Sequence, residues 1–188
     1  MTPRLDIAPE IRARAWLNTP QPLTLAALRG RVVALHAFQM LCPGCVSHGI
    51  PQAVAIQRSF AAADVCVIGL HSVFEHHDVM GESALRAFVH EYRLTFPIAI
   101  DEPAADGAVP LTMQAYGLQG TPSLVLIDRS GRVRLNHFGR IEDLQLGALI
   151  GRLLADAPPL AASGIARDVG ARPAAGHGSC DEHGCATP

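Results

Sequence analysis

Cys42 and Cys45 stand three positions apart with Pro43 and Gly44 between them, a spacing suited to thiol chemistry. At the start of a helix, two such cysteines lie on nearly the same side of the first turn and can close a disulfide with little adjustment. Pro43 fits that first turn, where its missing N–H costs nothing. The unpaired N–H groups and the positive end of the helix favour a thiolate at Cys42, while Cys45 points back toward the core. The expected chemistry is attack by Cys42 on a partner disulfide, followed by displacement of the partner by Cys45. Two plainer readings use the same residues: a structural disulfide, or half of a zinc site. Zinc needs two further ligands, and His36, His48 and His71 show no recognisable metal-ligand spacing.

Three other groups of residues carry chemical potential. Glu75, His76, His77 and Asp78 follow an apolar strand, where α/β domains present functional loops, so Glu75 is a candidate site residue and the alternative is a solvated charged loop. Cys66 lies inside an apolar strand pattern and reads as a small hydrophobe. His177, Cys180, His183 and Cys185 offer two thiols and two imidazoles to zinc or copper, or a further disulfide. Their spacing matches no common finger, and Gly176, Gly178 and Gly184 make a preformed site entropically costly, so the main reading has no metal and no organic cofactor.

The elements that must hold the pair follow from periodicity. After a turn closed by Gly30, Arg31 to Met40 reads as a central strand, apolar almost throughout. Ile50, Val54, Ile56 and Phe60 mark a buried helical face, with Pro51 as a kink or local irregularity. Val65 to Leu70 is a second strand; Leu85, Phe88, Val89 and Tyr92 mark a second helix; Phe96 to Ile100 is a third strand, and Met113 to Leu118 a short helix. Ser123 to Ile127 and Val133 to Phe138 form a hairpin around Asp128-Arg-Ser-Gly131, before a last helix with Leu146, Leu149, Ile150 and Leu153 on one face. Crossovers early and a hairpin late predict an α/β domain with a central mixed sheet. Residues 1–155 are expected to form that domain with an N-terminal extension, and 156–188 a mobile tail rich in Ala, Gly and Pro.

The 188 residues suffice for one domain, and 49% hydrophobic against 17% charged residues indicates a globular chain. A net charge of −2 with no basic block argues against nucleic acid. The charged N-terminus is unlike a secretory signal, and the run Val32 to Leu41 is too short to span a bilayer, so a cytoplasmic location is expected, or a periplasmic one if a leader has been removed.

The run from Arg29 through His36 to Cys45, together with Gly120-Thr-Pro-Ser-Leu-Val-Leu-Ile-Asp128 and Gly131, resembles thioredoxin-fold proteins of the TlpA and redoxin type. Trp16-Leu-Asn-Thr19 and Val67-Ile-Gly-Leu-His71 are similar to the thioredoxin-like domain of DipZ-type proteins. The resemblance covers about residues 16 to 154 and implies a thioredoxin-like fold with helices on both faces of the sheet. It also implies that Pro122 follows a cis peptide facing the cysteines, and that the backbone of Thr121 pairs with a substrate chain. Without the resemblance, Thr121-Pro122 reads only as the start of an edge strand. The implied activity is thiol:disulfide exchange, with a protein or small-molecule disulfide as substrate and an upstream thiol as reductant, and in TlpA-like proteins an acidic residue near the active site assists proton movement, a role for which Glu75 is the candidate. Two cysteines in the motif and no sign of an oxidising compartment make reduction the expected direction. Two departures stand out. His36 occupies the position where many thioredoxins have a buried Asp, and reads as a proton relay for Cys45 or as a core imidazole; Leu41 replaces the Trp that precedes the nucleophile. A peroxiredoxin-like peroxidase is the alternative enzyme, but Gln39 stands where that family has the Thr that activates peroxide. A redox-linked metal carrier using the tail cluster is the non-enzymatic alternative.

Overall fold

The structure is a computed structural model that describes residues 7–156. The tail with His177, Cys180, His183 and Cys185 lies outside the described residues. The strands are β1 (Ala13–Leu17), β2 (Val32–Phe38), β3 (Val65–His71), β4 (Ile98–Asp101), β5 (Ser123–Ile127) and β6 (Val133–Phe138). They form one sheet in the order β1-β4-β3-β2-β5-β6. The β2–β3 and β3–β4 pairs are parallel and the others antiparallel, giving the mixed sheet that the alternation of helices and strands predicts.

The helices are α1 (Ile50–Ser59), α2 (Glu82–Glu91), α3 (Leu111–Ala115) and α4 (Asp143–Ala155). They cover both faces of the sheet, and β2 shows why its sequence is apolar at every position but His36. Val32, Ala34 and Phe38 pack into a cluster with Ile50 and Ala53 of α1, Leu85 of α2 and Ile150 of α4. Val33, Leu35 and Ala37 point the other way, into a cluster with Leu25, Met113 and Tyr116. A strand buried on both faces has no polar side to show. Cys66 belongs to the second cluster as a small buried residue. Among the described residues, no helix is long and apolar enough to cross a membrane.

Several elements differ from their sequence expectation for identifiable reasons. β1 is an edge strand pairing with β4; it is five residues long, carries Arg14 and has a register shift between Ala13 and Ala15, which obscures its pattern. The buried positions of α1 are Ile50, Ala53 and Ile56, whereas Val54 and Phe60 are only partly covered. A wide π-helical turn over Cys45–Gly49 precedes α1 and sets this phase, with Pro51 at the first turn of the regular helix. The short helix begins at Leu111 because the buried Asp101 carboxylate accepts the backbone N–H groups of Thr112 at 2.9 Å and Met113 at 3.1 Å. Tyr92 stays 47% exposed and stacks on Phe88, their ring centroids 4.2 Å apart.

Candidate redox site

Cys42 follows β2 and opens the first helical turn: its carbonyl accepts the N–H groups of Cys45 at 3.0 Å and Val46 at 3.1 Å. Its own N–H donates to the Gln39 carbonyl at 3.3 Å. The Cys45 N–H also lies 3.2 Å from Cys42 Sγ, a donor that a thiolate accepts more strongly than a thiol does. Cys42 is half-buried and Cys45 fully buried, so the two sulfurs differ in access although they share one turn. Burial pushes the Cys45 thiol well above the usual thiol range, and the adjoining Cys42 thiol adds to the shift. The pair therefore has an outer and an inner member.

The Thr121–Pro122 peptide is cis. Cys42 Sγ lies 3.4 Å from the Thr121 carbonyl, to which its thiol donates. The loop before β5 is held by Ser123 Oγ donating to the Gly120 carbonyl at 2.7 Å, and the Pro122 carbonyl accepts the Gly139 N–H at 2.8 Å. The hairpin thus carries its leading edge to the cysteines. At its far end, Asp128 accepts bonds from Ser130, Arg132 and Arg134, which outweigh the upward push of burial and hold its carboxyl below the usual range.

Two glycines let Pro122 approach the helix. A Cβ on Gly44 would stand 3.2 Å from Pro122 Cδ. One on Gly49 would stand 2.5 Å from His36 Cε1 and 3.1 Å from Pro122 Cβ. His36, Gly49 and Pro122 therefore form one close-packed junction beneath the turn that carries Cys45. Gly49→Ala is expected to destabilise the fold by about 1–3 kcal/mol through overpacking, although alanine is the better helix former. His36→Ala should relieve much of that cost. Urea unfolding of the two single variants and the double variant would read the coupling, and strict additivity would contradict the junction.

His36 is buried, its Nδ1 has no hydrogen-bond partner among the described residues, and burial lowers its pKa to about 4. Gln39 is also buried, but its amide is used: Nε2 donates to Glu75 Oε1 at 3.3 Å and Oε1 accepts the Phe74 N–H at 3.4 Å. Glu75 is thereby brought to a groove of about 510 Å³ that it shares with Cys42 and Thr121. Leu41, Phe74 and Phe138 supply apolar walls to this groove. His48 is exposed and bonds Ser47, and His71 lies in the core beside Phe38. Among the described residues, no three His, Cys, Asp or Glu side chains gather as a metal site.

The redoxin family matches residues 6–143, a stretch that includes both the cysteine turn and the cis-proline loop. The chain belongs to the redoxin family. It is 52% identical to a thioredoxin-like superfamily protein of known crystal structure, covering 82% of this chain and 99% of that one with a TM-score of 0.81. It is 49% identical to a thiol-disulfide isomerase from Corynebacterium glutamicum, covering 80% of this chain and 98% of that one with a TM-score of 0.77. A thiol:disulfide interchange protein from Chlorobium tepidum shares the fold at 18% identity, covering 82% of this chain and 99% of that one with a TM-score of 0.59. No curated protein matches the chain.

Within this redoxin domain the structure brings together Cys42, Cys45, Thr121 and Pro122, with His36 behind the helix and Glu75 in the open groove. Sequence reasoning did not find the groove walls Leu41, Phe74 and Phe138, the clamp made by Gln39, or the close approach at Gly49. The nearest available signal was Gly120 beside Thr121: a Cβ there would meet the Phe138 ring at 2.8 Å.

Proposed function

We propose that this protein is a thiol:disulfide oxidoreductase of the TlpA and DipZ-related type, acting as a reductase in a reducing compartment such as the cytoplasm. The observation that carries the reading is the asymmetry of the pair: half-buried Cys42 against the Thr121 carbonyl, and fully buried Cys45 on the inner side of the same turn. The thiolate of Cys42 attacks one sulfur of the client disulfide, forming the Cys42–client bond and releasing the other client sulfur as a thiolate. Cys45, once deprotonated, attacks Cys42, closes the Cys42–Cys45 disulfide and releases the second client thiol. Two electrons pass to the client, and an upstream thiol must restore the pair. Thr121 offers its backbone to the client chain beside Pro122. The 49% identity to a thiol-disulfide isomerase supports the same class of chemistry.

The proton of Cys45 has to leave before the resolving step. His36 is neutral at physiological pH, and an imidazole with a pKa of about 4 is a weak base toward a thiol raised by burial. Its proposed part is support of the helix beneath Cys45. Glu75, in the groove with Cys42, is the proposed relay, passing the proton to solvent through water.

The test compares reduction of a protein disulfide with consumption of hydrogen peroxide, both supplied with dithiothreitol. Disulfide reduction well above the uncatalysed rate, with peroxide turnover near background, is expected. Gln39 is tied to Phe74 and Glu75 and offers no hydroxyl to a peroxide. Fast peroxide consumption with protein disulfides ignored would overturn the proposal.

A further inference from the structure

We propose that the groove beside Cys42 selects disulfides in polypeptides that carry an apolar residue and a cationic residue next to the reacting cysteine, and disfavours anionic small disulfides such as glutathione disulfide. This selection rests on the thiol-exchange reading and adds to it the chemistry of the client.

Leu41 and Phe138 line the groove and stay 57% and 52% exposed, an unusual state for two large apolar side chains around a single reactive sulfur. The Phe138 ring lies against Gly120, where a Cβ would come within 2.8 Å of it, so its place next to Thr121 depends on the absence of a side chain there. Phe74 adds a third apolar wall. A client held at Thr121 would cover this surface with the side chains flanking its cysteine, and burying a leucine-sized group is worth about tenfold or more in affinity.

Glu75 is the carboxylate of the groove; the His76 imidazole lines it as well, no arginine does, and the chain contains no lysine. Gln39 fixes that carboxylate relative to the nucleophile, because the same buried residue accepts the Cys42 N–H and donates to Glu75 Oε1. Among the described residues, no arginine or histidine forms an ion pair with Glu75. A lysine or arginine on the client meets the Glu75 carboxylate, and the carboxylates of glutathione disulfide are repelled by it. A solvent-exposed pair at contact distance gives a preference of about fivefold, which salt screens.

The test measures kcat/KM for a set of disulfide-linked peptides that differ only beside the cysteine, Leu with Arg, Leu with Glu, and Gly with Gly, and for glutathione disulfide. The Leu/Arg peptide is expected to be reduced fastest, about fivefold over Leu/Glu at low salt, with glutathione disulfide slowest. Glu75→Gln should bring the Arg-to-Glu ratio close to one, and Glu75→Arg should invert it. A role for Glu75 confined to proton relay would lower both rates together and keep the ratio, overturning the charge selection. Phe138→Ser should cut the preference for Leu over Gly by about tenfold. Equal rates on all substrates would overturn the selectivity while leaving thiol exchange standing, and no turnover of any disulfide would overturn both.

Discussion

Cys42→Ser is expected to abolish disulfide reduction, by about a thousandfold or more, while Cys45→Ser accumulates a covalent adduct with the client. The difference follows from position. Cys42 is the sulfur a client can reach, and the hydroxyl of a serine there is a far weaker nucleophile than a thiolate. Cys45 has no exposed surface and cannot start the exchange, so its removal leaves the first step intact and blocks the second. Activity assays together with non-reducing electrophoresis of the variants incubated with a protein disulfide would read both effects. Adduct formation by Cys42→Ser would reverse the assignment. Cys66 sits in the core on β3, and Cys66→Ala should leave the pattern of adducts unchanged.

A second large effect is expected in acid. Burial lowers the pKa of His36 to about 4; burial, with the charge of Arg14 adding to it, does the same for His71. Both side chains are almost wholly buried, and neither ring nitrogen of His71 has a hydrogen-bond partner among the described residues. As pH falls below about 6.5, the unfolded chain takes up these protons while the folded chain does not, so stability is lost until the folded pKa near 4 is reached. Each group can contribute a slope of up to about 1.4 kcal/mol per pH unit, and about 3 kcal/mol across the window. Asp101 opposes the trend toward the acid end, because burial raises its carboxyl and the folded state then binds that proton more readily. Urea unfolding at pH values from 7 to 4.5 should show the decline, and His71→Leu should remove about half of it. Stability that stays flat from pH 6.5 to 4.5 would contradict neutral buried imidazoles.

The parts of this molecule that were legible in the sequence are those whose signal is local. The hairpin of β5 and β6 lies where two apolar runs around the Asp128-Arg-Ser-Gly131 turn predict, because the turn chemistry is written into adjacent residues, whereas the register shift between Leu126 and Ile127 is not. The cysteine turn is legible for the same reason. The edge strand β1 is not, since a five-residue strand with a bulge has too few positions to establish a period. The helix phase near Pro51 shifts because a π-helical turn changes the angular step between side chains, which a regular 3.6-residue count cannot anticipate. The groove is the least legible feature: Leu41, Phe74, Glu75, Thr121 and Phe138 come from segments that meet only once the sheet has formed. His36 illustrates the same limit. Its type left a proton relay and a core imidazole both open, and its packing against Gly49 and Pro122 and its depressed pKa, which favour the proposed support role, come from segments far apart in the chain.

The most direct measurement of the asymmetric pair is the rate of iodoacetamide alkylation of each cysteine in the reduced full-length chain, resolved by peptide mass mapping at pH 7. Cys42 is predicted to be modified rapidly, with Cys45 protected as strongly as the core residue Cys66. Modification of Cys45 as fast as that of Cys42 would contradict the division into an attacking and a resolving sulfur.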